Sequence, residues 1–448
     1  MNRPTYERPA IVRHQMGLMN KFGRMDTVKP LTHVDGVAID ALVAEHGSPL
    51  FVFSQRTLIN RYRELRDAFT RRLPRVRLAW SYKTNYLEAV CRTFHREGAW
   101  AEVVSPFEFQ KAVRSGVSPD RIHFNGPFKP DLALAEAITG GAILHIDNFD
   151  EIGRIDRVAE QVGKWARVAL RVNLAIDGLT AWSRFGVNLE SGQAREAIAR
   201  IVASDRLELL GLHTHIGTFI LDANAHGMAA RKLARFANEI RAEHGIKLSF
   251  LDLGGGFASP NTLKGTYLLG EQASPSFARY ADAIADGLGE LDYPTKELPT
   301  LVLETGRALV DDAGYLVSTV HATKRLPGGE RALVMDAGVN LLFTSFWYDH
   351  AVVPAQETRG APEPTVLYGP LCMNIDVLRE SAKLPPLAAG ERVVFRNVGA
   401  YNVTQWMQFI ATRPAVVMIG TDGRVARIRR AEDVGDLTSH EGVPEWLS

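Results

Sequence analysis

Residues fit for chemistry recur where apolar runs end. The run holding Val76, Leu78 and Trp80 closes on Ser81-Tyr82-Lys83-Thr84-Asn85, and a helical pattern follows with Leu87, Val90, Cys91 and Phe94 on one face. This predicts a strand-to-helix unit with Lys83 at the carboxyl end of the strand, where α/β proteins place reactive groups. An ammonium among apolar residues is costly unless it is paired. A lysine held as an imine escapes that cost, and Schiff-base formation is a main use of buried lysines. The competing reading is a buried stem whose head reaches water. Other strand-like runs end on Glu102 to Ser105, Asn125, Asp147, Arg171, His213 and His215, Gly254 to Gly256, and Glu304 to Arg307. Matched chemical parts at so many termini favour a shared site over chance.

Each part has its own chemistry. Gly254-Gly255-Gly256 lets backbone N–H groups face an anion, and Gly306-Arg307 adds a fork-shaped cation suited to phosphate. Without a ligand, the glycines read as a tight turn. His213 and His215, two apart, share a strand face. They suit stacking on a flat cofactor, then plain core packing, and only then a metal, since His123 and His145 lie inside strand patterns. Glu304 follows Leu301-Val302-Leu303, so its carboxylate needs a partner. A protonated ring nitrogen would serve, as would Arg307 or Arg171. Cys372 lies in a turn, as a proton donor or a small hydrophobe, whereas Cys91 belongs to a helix face. No G-x-G-x-x-G follows an early strand, which argues against a dinucleotide.

Eight short strand-like runs, at 76–82, 100–105, 121–125, 142–147, 167–173, 207–215, 248–253 and 300–304, alternate with helical stretches, the clearest at 226–243. That pattern predicts an α/β fold, a (β/α)8 barrel, with an open doubly wound sheet as the alternative. Beyond Arg307 short β runs dominate, including Leu309-Val310, 315–319, 332–334, 393–395 and 415–417, and predict a mostly β, sandwich-like or barrel-like second domain. The expected division is an arm at 1–25, a segment 26–53 packing with the β domain, a barrel at 54–307 and the β domain at 308–448. A net charge of +1 implies neither a nucleic-acid nor a membrane-surface partner. Two cysteines, no signal-peptide pattern and no apolar run of bilayer length fit a cytoplasmic protein.

The ordered motifs carry a resemblance from about Pro49 to Met418. They are Tyr82-Lys83-Thr84-Asn85, Glu102-Val103-Val104-Ser105 with Glu108, Ser183-Arg184-Phe185-Gly186, His213-Thr214-His215-Ile216-Gly217-Thr218 and Asp252-Leu253-Gly254-Gly255-Gly256. Glu304-Thr305-Gly306-Arg307, Asp336-Ala337-Gly338-Val339-Asn340, Tyr348-Asp349-His350, Gly369-Pro370-Leu371-Cys372 and Gly399-Ala400-Tyr401 continue the series. Together they resemble the fold-type III pyridoxal-phosphate decarboxylases, the family of diaminopimelate, ornithine and arginine decarboxylases. The resemblance implies a barrel plus a β domain, pyridoxal 5'-phosphate as cofactor, an amino-acid substrate, no metal, and a homodimer with shared sites. It further implies that Lys83 joins the cofactor as an imine, His215 stacks on its ring and Glu304 holds the ring nitrogen. Glu102, Gly217, Thr218, Gly254, Gly255, Gly256, Gly306, Arg307 and Tyr401 complete the cofactor site. Cys372 donates a proton in the partner's site, while Arg171, Asp336, Met373, Asp376 and Tyr401 join it in the substrate region.

Three departures bear on substrate. Glu102 stands where the family often has Asp, and Thr305 replaces a usual Pro. Met373-Asn374 follows Cys372, where diaminopimelate enzymes carry Glu and ornithine enzymes Asp to hold a distal amine. The stretch 401–409 and the arm around Met16–Gly23 resemble a siderophore-pathway subgroup. The expected reaction is therefore α-decarboxylation of an amino acid of the diaminopimelate or ornithine class, or of a conjugate such as citryl-diaminopropionate. Diaminopimelate decarboxylase and a racemase on the same cofactor are the alternatives.

Overall fold

The computed structural model describes residues 28–266 and 268–447, so the expected arm at 1–25 lies outside the described residues. Eight parallel strands form a ring: Val76–Ser81, Trp100–Val103, Ile122–Phe124, Ile143–Ile146, Ala166–Asn173, Leu207–His213, Phe250–Asp252 and Thr300–Thr305. The eighth pairs with the first, with Leu301 opposite Val76 and Thr305 opposite Trp80, and closes the barrel. Below, strands are numbered one to eight in this order. Parallel strands covered on both faces read as unbroken apolar runs, which is why they stand out in the sequence.

Helices cover the outside, each begun by a local signal. Ser54 accepts the Thr57 N–H to start Gln55–Thr70, Ser105 accepts from Glu108 with Pro106 in the first turn, and Asn148 accepts from Glu151. Asp222 starts the long helix Ala223–His244 in the same way. Inside, Ala79, Ile143, Ala169, Phe250 and Val302 pack together. The Arg77 guanidinium lies 3.6 Å above the Trp100 ring beside this plug.

The second body is built on the long strand Gly314–Arg325. It pairs antiparallel with Leu50–Ser54, Arg392–Arg396 and Arg331–Met335. Leu50–Ser54 also runs parallel to Val416–Ile419. Leu50, Val52, Val317, Val394 and Val417 form its small core with Ile39 and Leu42 of the helix Ile39–His46. Leu309-Val310, expected as strand, instead ends the one-turn helix Arg307–Val310; it is buried and has no strand partner to complete a ladder.

The two bodies are stitched beside Lys83. Tyr401 N–H donates to the Thr84 carbonyl at 2.8 Å, and Asn85 Nδ2 to the Gly399 carbonyl at 2.9 Å. Asp311 accepts the Ala400 N–H at 3.0 Å, and Asn261 donates to the Asn397 carbonyl at 2.8 Å. Loops from the barrel's carboxyl end thus meet the β body around one cavity.

Candidate active site

Strand one stops at Ser81, and Lys83 sits in the turn Tyr82–Thr84 that follows. Its Nζ reaches into a cavity of about 630 Å³ and lies 2.6 Å from Glu102 Oε2. Ser81 Oγ donates to the same oxygen at 2.5 Å, and Asn125 Nδ2 to Glu102 Oε1 at 3.3 Å. Burial alone would lower the Lys83 ammonium; the carboxylates of Glu102 and Glu304 outweigh it and hold the group above the ordinary lysine range. Without a bound aldehyde, Lys83 is therefore a cation with an assigned counter-ion.

His215 lies just past strand six, and its Nδ1 accepts the Gly255 N–H at 2.9 Å. That bond leaves the proton of the neutral ring on Nε2. Burial drives the imidazole well below its usual range, against the pull of Glu304, so the ring is neutral and free to stack on a flat group. Trp182 leans on its edge, with ring centres 5.5 Å apart. Glu304 accepts from Asn125 Nδ2 and lies 3.5 Å from His213 Nε2. Burial presses its carboxyl upward, but His213 and Lys83 hold it well below the usual carboxylate range.

A narrower recess runs from Lys83 and His215 past Glu304, lined also by Thr218, Gly256, Gly306, Arg307 and Tyr401. Here the backbone N–H groups of Gly217, Thr218, Gly256 and Gly306 find no acceptor among the described residues. Arg307 Nε and Nη1 are buried without a hydrogen-bond acceptor, with Asp311 3.5 Å from Nη1. The guanidinium is sandwiched by the Tyr348 and Tyr401 rings, each 4.8 Å away. Unmet donors around a buried cation fit a phosphate. The expectation for Gly254 and Gly255 needs correction: their N–H groups are spent on Asp252 Oδ1 and His215 Nδ1. Both glycines are needed for close approach, since a Cβ at Gly255 would stand 2.4 Å from the Glu304 carbonyl.

Arg171 lines the cavity, with Nη1 3.4 Å from Asp147 Oδ1 and its guanidinium 4.5 Å over Phe185. Other expected substrate residues lie elsewhere. Asp336 accepts from Ser48, Ser318 and the Thr319 N–H within the β body, so its carboxylate is already satisfied. Asp376 accepts the N–H groups of Val339 and Leu371, each at 2.7 Å, and shapes the turn before Cys372. Cys372 is exposed and absent from the lining of its own chain's cavity, and Met373 packs on the core. Asn125, Trp182, Phe185, Trp347, Tyr348 and Gln405 also line the cavity. Asn125 stands at a strand end and Phe185 and Tyr348 stand in the ordered motifs, so these were legible, whereas Trp182 and Trp347 come from loops with neither marker.

His145, His213, Asp252 and Glu304 bring polar atoms within 4.8 Å of one another. Two ligands of one zinc ion stand at most about 4.4 Å apart, twice the metal–ligand distance. The group is thus wider than a formed zinc site.

Comparison with known proteins agrees with this geometry. The family described as "Pyridoxal-dependent decarboxylase, pyridoxal binding domain" matches residues 56–311. The chain is 32% identical to the diaminopimelate decarboxylase of Archaeoglobus fulgidus over 92% of this chain and 97% of that one. The solved diaminopimelate decarboxylase of Methanocaldococcus jannaschii in complex with L-lysine superposes with a TM-score of 0.86 at 28% identity, covering 94% of this chain and 99% of that one. The Helicobacter pylori enzyme, also with L-lysine, gives 0.80 at 26% identity, over 89% and 98%.

Proposed function

The chain belongs to the pyridoxal-dependent decarboxylase family, is an amino-acid decarboxylase that uses pyridoxal phosphate, and on that premise we propose that it removes the α-carboxylate of diaminopimelate or a close analogue. Similarity to diaminopimelate decarboxylases across nearly the whole of both chains is the observation that carries the substrate class.

Pyridoxal phosphate, when bound, supplies an aldehyde for amines and a ring that accepts the electron pair released with carbon dioxide. In this reading, Lys83 Nζ would be the amine that holds the aldehyde. Glu102, 2.6 Å away, keeps the nearby proton at hand. His215 covers one ring face and excludes water there. Glu304, which lines the recess, would hold the ring nitrogen, and its negative charge would keep a proton there. Arg307, Tyr401 and the amides of Gly217, Thr218, Gly256 and Gly306 anchor the phosphate. Arg171 borders the substrate end. Cys372, exposed and outside its own cavity, completes the site of a second copy and delivers a proton from Sγ to the substrate α-carbon. The working unit is thus a homodimer.

One observation favours a second substrate, a conjugated amino acid with no free distal ammonium. Glu102 and Glu304 already have partners, and the turn 372–376 offers only Asp376, tied to two backbone amides. Carbon dioxide release measured on diaminopimelate, ornithine, lysine and citrate-conjugated diamino acids decides. Diaminopimelate with the highest kcat/KM is the expected result. Preference for a conjugate replaces it with the second reading, and racemised product without carbon dioxide release overturns both.

A further inference from the structure

Beside the cavity two carboxyl groups are buried side by side. Asp252 ends strand seven and Glu304 lies on strand eight; both are nearly inaccessible, with oxygens within 4.8 Å of each other and of His145 and His213 nitrogens. Lys83 pairs with Glu102 at 2.6 Å. Two adjacent buried carboxyls cannot both ionise freely, so a proton belongs to the cluster. The donors decide where. Glu304 receives the Asn125 amide and faces His213 Nε2 at 3.5 Å. Asp252 receives the Gly254 N–H on Oδ1 at 2.8 Å, while its Oδ2 is buried with no hydrogen-bond partner.

We propose that Asp252 is a neutral carboxylic acid that, with Asn125 and His213, positions Glu304 as the only anion beneath the cofactor ring. The physical trends agree. Burial and the Glu304 charge push Asp252 well above the usual range, opposite to Glu304 itself. His123 Nδ1 and His145 Nε2 lie 2.8 Å apart, and the His145 ring meets His213 edge-on at 4.8 Å. Burial holds His123 and His145 below the usual histidine range, so the ladder continues the polar layer inward without adding charge. Asp252 is thus a positioning residue. Only its stated effect on the ring rests on the reading of Glu304 given above; its protonation does not.

Infrared spectroscopy of the full-length, cofactor-loaded protein with 13C-carboxyl aspartate tests this. At about pH 8 ordinary aspartates are ionised. An isotope-shifted carbonyl stretch of un-ionised aspartic acid is expected, lost in Asp252→Asn and retained in Asp311→Asn. No such band in the parent protein, or one that survives loss of Asp252, overturns the proposal; Asp252→Ala gives the same readout if the Asn variant does not fold. Cofactor affinity supplies a second readout. Asp252→Asn, which is neutral and keeps an acceptor for the Gly254 N–H, should stay within about threefold of the parent, and Asp252→Ala should weaken binding by about tenfold or more. Equal losses in both also count against it. A failed substrate assignment would leave the band in place, so the two failures are distinguishable.

Discussion

Lys83 is the side chain on which the cavity converges, and its environment makes a sharp prediction. Lys83→Ala should abolish the visible absorbance of bound cofactor and lower kcat by on the order of 10²–10⁴. A variant that keeps both would remove this amine from the chemistry. Glu108 predicts a pH effect. It accepts the Val104 N–H at 2.7 Å, and burial pushes its carboxyl up to about 7. A carboxyl harder to ionise when folded loses stability as pH rises from about 4.3 to 7, because the unfolded chain has released the proton first. Glu108→Gln keeps an acceptor for Val104 and removes that loss. The variant should gain on the order of 1–3 kcal/mol near pH 8 and nothing near pH 4, read by urea unfolding. An equal gain at both pH values would refute burial as the cause. At this scale the sequence was most legible where position on a strand end marked the residue, as for Lys83, Glu304 and Asn125. It said nothing of how Asp336 and Asp376 are held, since their carboxylates accept from neighbours that no motif announces.

Elements hold these groups through a few buried polar joints. Lys129 is fully buried, donating to the Gly126 and His145 carbonyls and to Glu151 Oε1 at 2.8–2.9 Å, so it ties the loop after strand three to strand four and its helix. Lys129→Met strands Glu151 as an unpaired buried charge and should cost about 3–5 kcal/mol, with Lys129→Met/Glu151→Leu recovering part of it. No recovery in the double variant would mean the ion pair is not the source of the loss. Gly255→Ala should displace the Gly254–Gly256 loop from Glu304 and weaken cofactor binding, measured by titration of the apoprotein; unchanged affinity would show that the loop can yield. All eight barrel strands were visible in the sequence because burial on both faces forces continuous apolar runs. Leu309-Val310 was misread because two buried apolar residues look alike in a helix turn and a strand.

Across the whole molecule, Lys83 lines the cavity and Cys372 lies exposed outside it, so the proposed reaction requires a second copy to bring the two together. Lys83→Ala and Cys372→Ala chains, each inactive or impaired alone, should regain about a quarter of parental activity when mixed, since half the dimers carry one intact site. No recovery on mixing of chains that do form mixed dimers would mean that the thiol does not serve the site of a second copy. The strand Leu50–Ser54 has another consequence. It is flanked by Gly314–Arg325 and Val416–Ile419, both of which are synthesised after it and the second more than 350 residues later. At roughly 5–20 residues per second, this apolar edge waits for tens of seconds while the barrel segment is being made. During translation the nascent chain thus carries an unsatisfied Leu-Phe-Val-Phe stretch until Val416–Ile419 arrives.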